Sequence, residues 1–349
     1  MSNNTDLISL LECAYQLDTD DDTWLRGIVA ASAGLLQRGM GVFVFLYQTM
    51  NRTAWQLGAV VNIGAPPAVP EILRAVAPQS PPETVHRFYW SEPCITVHQL
   101  LGGGPGAEFM RSVMTPHGVK DVLMIKAADP TGVALSLCAP LAESTAIARP
   151  TARLWSRLCV HIAAAHRLRR LLHGLGASPV GFSGAEAVLS PRGRCEHAEG
   201  GARTASARDT LRSAAMQLDR ARGSLRRTDP HAALELWRGL VAGRWSLVDQ
   251  FDSDGRRYLV ARRNDPRTPD PRALTERERQ VAHLVALGHS NKLIAYELGV
   301  SESSAATHLR SAIAKLGVKG RVQFVELIQQ ITGTGSEDYP VPPATLDRP

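Results

Sequence analysis

Residues 274–331, LTERERQVAHLVALGHSNKLIAYELGVSESSAATHLRSAIAKLGVKGRVQFVELIQQI, spell out four short helices with their own start and stop signals. Thr275 is placed to cap the first, and Glu278 three residues on completes a capping box. Val281, Leu284 and Val285 give that helix its apolar stripe, and Gly288 suits the left-handed position after its end. Ser290 caps the second helix, whose Leu293, Ile294 and Leu298 face inward before Gly299. Ser301 caps the third, with Ala305, Leu309, Ala312, Ile313 and Leu316 as its buried side and Gly317 as its stop. Val322, Val325, Leu327 and Ile328 mark the fourth.

Only Gly299, Val300 and a cap join the second and third helices, a connection short enough to force a wide crossing angle. The third helix, Ser301–Leu316, then keeps one face free: Ser303, Ala306, Thr307, Arg310 and Ala314. That face is small, hydroxylated and basic. A rod with short outer residues fits the major groove of double-stranded DNA, where Thr and Arg reach base edges. Ser290, Ser301 and Ser304, with the N–H groups of the helix starts, suit phosphates. Lys292, Lys315, Lys319 and Arg321 add cations, each steepening the salt dependence of binding. The rival reading is a signalling adaptor that uses these C-terminal helices for protein contact.

The carrying residues Leu274-Thr275-x-Arg277-Glu278, Gly288-His289-Ser290-Asn291-Lys292, Ile294-Ala295, Leu298-Gly299-Val300-Ser301, His308-Leu309 and Lys315-Leu316-Gly317-Val318 resemble the LuxR/FixJ-type helix-turn-helix domain of bacterial transcription regulators. The resemblance implies DNA binding through the third helix, usually as a homodimer, with the fourth helix helping to pair subunits. RNA polymerase is a further candidate partner of such a regulator. One departure stands out. Where that family commonly has Thr-Val-Lys, this chain has Ser304-Ala305-Ala306, so a DNA-contacting cation is missing and Thr307 and Arg310 carry more of the reading.

Outward from this segment, residues 264–273 (NDPRTPDPRA) read as a proline-rich linker and 333–349 as a disordered tail. Residues 1–150 hold 9 basic and 13 acidic side chains, net −4; 151–271 hold 21 and 12, net +9; 272–349 hold 9 and 8, net +1. An acidic front and a basic middle suggest a sensor followed by a part that approaches nucleic acid, although a solvated arginine-rich surface gives the same numbers. A helix is expected over 1–40, started by Asp22, then strands at Gly41–Met50, Trp55–Ile63, Asp121–Ala128 and Val133–Ala139. A long helix from Thr151 to Leu175 carries Leu154, Leu158, His161, Ala165, Leu168, Leu172 and Leu175 at alternating steps of four and three. That stripe packs either on the domain's own sheet or on a second copy. This order resembles a GAF-type sensor over 1–175. A hairpin at 187–198, a helix at Ser206–Arg226, a helix from Asp229 to near Gly243 and strands at Trp245–Phe251 and Arg257–Arg263 look like a PAS-like module over 176–263. The expected fold is therefore multidomain α+β, antiparallel-sheet GAF/PAS-like sensor regions followed by an all-α four-helix domain at 274–332.

The 349 residues are 44% hydrophobic and 21% charged, ordinary globular values that exclude wholesale disorder. Five Cys without a CxxC argue against a disulfide framework and favour a reducing, cytoplasmic setting. No stretch is apolar enough to span a bilayer, and no secretory signal opens the chain. Asp18, Asp20 and Asp22 imitate a calcium loop, but Thr23 stands at its sixth position and Val29 at its twelfth. Gly181-Phe182-Ser183-Gly184 lacks the last glycine of a nucleophile elbow, and Gly102–Gly106 is not followed by the Lys of a P-loop. Cys195 and His197 have no second ligand pair. No catalytic set, metal site or cofactor is expected, and the effector, small molecule or protein, is unnamed by the sequence.

Overall fold

The computed structural model describes residues 6–36, 39–50, 54–129, 132–174, 181–264, 274–316, 318 and 320–333. The expected start helix is two: α1 (Leu7–Ala14) and α2 (Asp21–Leu36), with a break at 15–20. Asp6 caps α1 through the N–H groups of Ile8 and Ser9 at 3.1 and 3.2 Å. Asp20, not Asp22, caps α2 by accepting from Thr23 N–H at 2.9 Å, while Asp22 pairs with Arg26 inside the first turn.

The first sheet contains β1 (Val42–Met50), β2 (Ala54–Ile63), β3 (Cys94–Thr96), β4 (Asp121–Ala128) and β5 (Val133–Leu141), all antiparallel, in the order β2-β1-β5-β4-β3. Interleaved with them are α3 (Ala68–Val76), α4 (Pro82–Trp90), α5 (Val97–Leu101) and α6 (Pro105–Met114). Helices thus form even where Pro66, Pro67, Pro70, Pro78, Pro81, Pro82 and Pro93 crowd the sequence. Pro82 and Pro105 sit at first-turn positions, where the missing N–H costs nothing. Phe43, Phe45, Tyr47, Phe88, Met110 and Met124 fill one face of this sheet.

α7 (Arg149–Gly174) follows, and its stripe residues Leu158, His161, Ala165, Leu168 and Leu172 are all buried within the single chain. Leu154 is half-buried. Leu175 lies outside the described residues. The second sheet holds β6 (Ala185–Leu189), β7 (Cys195–Ala198), β8 (Leu240–Val241), β9 (Trp245–Phe251) and β10 (Arg257–Arg263), ordered β7-β6-β10-β9-β8. Strand for strand, this is the order of the first sheet. Its helices are α8 (Ala205–Arg222), α9 (Leu225–Thr228) and α10 (Pro230–Leu236). Asp229 caps α10 as expected, accepting from Ala232 N–H at 2.9 Å. That helix stops at Trp237 rather than near Gly243, because Trp237 leaves the helical region (ψ 126°) and Leu240–Val241 pair with β9. Last come α11 (Glu276–Ala286), α12 (Asn291–Leu298), α13 (Glu302–Leu316) and α14 (Gly320–Gly333). Two antiparallel sheets with helices and a terminal helical domain make the chain multidomain α+β.

The chain forms two compact units. One takes the described residues of Met1–Leu35, Ala164–Pro266 and Ala295–Val300, the other those of Leu36–Ala163, Arg267–Ile294 and Ser301–Pro349. This grouping differs from a 1–175 and 176–263 division, since α1 and α2 go with the second sheet. The charges explain why. Arg226 binds Asp6 and Glu12 at 2.6 and 3.0 Å, and Arg222 binds Glu12 and Asp249 at 3.2 and 2.8 Å. Part of the basic excess of the middle segment is therefore met by acids of the front. Arg169, 1% exposed, donates to the carbonyls of Gln16 and Thr19 and stacks on Trp24. Asn264, placed in the linker by its sequence, is fully buried and bonds Arg167, Ala164 O and Ser246. The rest of that linker, 265–273, and the tail from 334 lie outside the described residues.

Among the described residues, no helix is long and apolar enough to cross a membrane, and no group of three His, Cys, Asp or Glu is arranged to hold a metal ion.

Candidate nucleic-acid interface

The interface is built on local capping. Thr275 Oγ1 accepts from Glu278 N–H at 3.3 Å, and the Glu278 carboxylate accepts from Thr275 N–H at 2.8 Å, so α11 opens with the expected reciprocal box. The other carboxylate oxygen takes the Ser311 hydroxyl at 2.7 Å, which ties the start of α11 to α13. Sequence spacing gave no sign of this bond, because the partners lie 33 residues apart.

Ser290 caps α12 by accepting from Leu293 N–H at 3.3 Å. Leu293, Ile294 and Leu298 are buried as expected. Gly288 and Gly299 take φ of 85° and 63°, the left-handed conformation that ends a helix at low cost only in glycine. In the unit that holds the second sheet, the turn after α12 is crowded: a Cβ on Gly299 would lie 2.0 Å from Ala242 Cα. Tyr296 of α12 also donates its hydroxyl to Trp237 O at 2.8 Å. In the other unit, Tyr89 of α4 shares a 3.2 Å hydrogen bond with Nε2 of His283 in α11.

Ser301 caps α13 by accepting from Ser304 N–H at 3.0 Å, and its hydroxyl also meets those of Ser303 and Ser304 at 2.8 and 2.7 Å. Three hydroxyls therefore crowd one helix start, where the N–H ends of the peptide dipoles favour an anion. Ala305, Leu309 and Ala312 are buried; Ile313 and Leu316 are half-buried. On the opposite side Ser303, Thr307, Arg310 and Ala314 are exposed, and Ala306 is half-buried. Thr307 returns its hydroxyl to Ser303 O at 2.9 Å, and Arg310 Nη2 donates to Thr307 Oγ1 at 3.3 Å. The two expected reading side chains thus stand side by side on the surface, one turn past the serine cluster.

Lys292 is exposed beside Ser290. Arg321 is less free than its sequence implied: it donates to Asn291 Oδ1 at 3.0 Å and to His289 O, and burial pulls its guanidinium below the usual arginine range. It fastens α14 to the start of α12 and the residue two before it. The side chain of Lys315 and all of Lys319 lie outside the described residues. In α14, Phe324 and Ile328 are the buried anchors, whereas Val322 is 73% exposed. Val322, expected in the apolar stripe, sits instead in the first turn on the outer side, and Phe324 takes the core position.

Residues 272–328 match the family described as "Bacterial regulatory proteins, luxR family". The Escherichia coli (strain K12) nitrate/nitrite response regulator protein NarP is 38% identical over 110 residues, 31% of this chain and 49% of its own length. The Bacillus subtilis (strain 168) spore germination protein GerE is 47% identical over 57 residues, 16% of this chain and 77% of its own length. The chain therefore spans about half of NarP and most of GerE. Among solved structures, Escherichia coli SdiA aligns over 94% of this chain and 96% of its own, at 11% identity and a TM-score of 0.31.

Proposed function

Since this chain belongs to the luxR family of bacterial regulatory proteins, we propose that it is a sequence-specific transcriptional regulator whose α13 enters the major groove of double-stranded DNA. The observation that carries this reading is the division of α13: Ala305, Leu309 and Ala312 inward, Ser303, Thr307 and Arg310 outward. Exposed Thr and Arg on one face suit base edges, and the Ser301–Ser303–Ser304 cluster suits a phosphate at the helix start. Lys292 and Ser290 extend the phosphate track along α12. Two copies binding adjacent half-sites would set the spacing of the two α13 rods. The two sheets act as the sensing part, and contacts such as Tyr89–His283 and Trp237–Tyr296 are the means by which each unit biases the helices it holds.

The test is binding of the full chain to promoter fragments selected from genomic DNA, at two salt concentrations. Arg310→Ala is expected to weaken specific binding by about 1–3 kcal/mol and to relax preference at one base position. An Arg310→Ala protein with unchanged affinity and unchanged preference overturns the reading. Affinity indifferent to salt favours a protein-binding adaptor instead.

A further inference from the structure

A second charged site lies beside the second sheet, on residues outside α11–α14. Between the β6–β7 turn and the start of α8 opens a cleft of about 670 Å³, within the range of small-molecule sites. Arg192, Arg194, Arg208 and Arg212 line it, with Glu196 and Asp209. The two acids are already paired, Glu196 with Arg194 at 3.3 Å and Asp209 with Arg212 at 3.5 Å. Among the described residues, Arg192 and Arg208 have no carboxylate partner. The wall is held in place. Gly193 turns at φ 80°, where a Cβ would press on Met216 and on Arg212 O at 3.0 and 3.1 Å, and Arg212 Nε donates to Gly193 O at 3.1 Å. Thr204 caps α8, so the positive end of an 18-residue helix points at the same space.

We propose that this cleft binds a phosphorylated small molecule of nucleotide size. Planar guanidinium groups clamp phosphate oxygens with paired hydrogen bonds, and Arg192 and Arg208 line this cavity without a carboxylate among the described residues to occupy their donors. The concave shape and its two carboxylates separate this from a DNA track. The carboxylates of Glu196 and Asp209 keep acceptor lone pairs that the N–H and O–H donors of a base or sugar can meet, donors that a bare phosphate backbone does not present.

The experiment is calorimetry on the full chain at fixed ionic strength, with inorganic pyrophosphate and adenosine triphosphate as probes. No DNA is present, so a negative result leaves the regulator reading untouched. Saturable binding is expected, weakened roughly tenfold or more by Arg192→Gln or Arg208→Gln. Arg220→Gln, an exposed arginine on the same helix outside the cleft, serves as the control and should bind as the parent does. All of these side chains are exposed, and matching melting curves will show that the variants fold. Absence of saturation by both probes overturns the proposal. So does equal weakening by Arg220→Gln, which marks diffuse charge attraction. If the Arg192 and Arg208 variants lose promoter affinity and bind the small anions unchanged, the patch is a DNA backbone contact and the proposal also falls.

Discussion

Replacing Glu278 with alanine removes the strut between the start of α11 and the reading helix. Glu278 is 4% exposed, and its carboxylate accepts from Thr275 N–H at 2.8 Å and from the Ser311 hydroxyl at 2.7 Å. The capping half is worth about 1 kcal/mol. A hydrogen bond from Ser311 to a charged acceptor adds about 1.5–3 kcal/mol. The alanine also relieves the cost of keeping a carboxylate out of water, which leaves a net loss of about 2 kcal/mol. Hydrogen exchange of the peptide covering α13 reads that loss directly, because it reports the free energy of opening that segment. Exchange there should quicken about 30-fold in Glu278→Ala. Ser311→Ala should quicken it less, and the double variant should fall short of the sum by about 1 kcal/mol, since both changes break one shared bond. Exchange within twofold of the parent, or strict additivity, refutes the strut.

Gly299→Ala and Gly288→Ala form a matched pair. Both residues have positive φ, costing about 1–2 kcal/mol in alanine, but only Gly299 adds a backbone clash with Ala242; the nearest atom to a Cβ on Gly288 is 3.6 Å away. Gly299→Ala should therefore destabilise more in urea and speed proteolysis near residues 240–243; equal costs would show that the turn is not packed as described. Lys126, buried under α4 and donating to Ser91 O at 2.8 Å, is pulled by burial down to about 7. From there to the ordinary lysine value the unfolded chain holds a proton that the folded chain has released, so stability to urea should rise with pH between about 7 and 10. The rise should vanish in Lys126→Met; if the variant shows the same slope, Lys126 is not its source.

The helical domain was legible because its signals are local. Thr275, Ser290 and Ser301 cap within three residues of themselves, and the glycines that end helices reveal their conformation by identity alone. The long strands were legible for the same reason: β4, β9 and β10 have the bounds expected from their own residues and the turn residues that flank them. What escaped was short or distant. β3 and β8, three and two residues long, are defined by their pairing partners rather than by composition. α4 and α6 were hidden by prolines and glycines that sit harmlessly in their first turns. The Glu278–Ser311 bond, the use of Arg321 as a clasp and the Arg226–Asp6 pair, 220 residues apart for its hydrogen bond, depend on tertiary approach that no periodicity encodes. The arginine cleft escaped because a count of charge gives no shape.

The grouping of α1 and α2 with the second sheet bears on how the chain is made. At about 5–20 residues per second, residues 7–35 leave the ribosome roughly ten to fifty seconds before residue 264 does. During that interval Asp6 and Glu12 have no Arg226 to meet, whereas every strand of the first sheet has already emerged. The amphipathic leading helices must wait, apolar side uncovered, while a complete sheet forms behind them. A nascent chain stalled near residue 200 should accordingly hold a protected β1–β5 sheet alongside a leader open to chaperones and proteases.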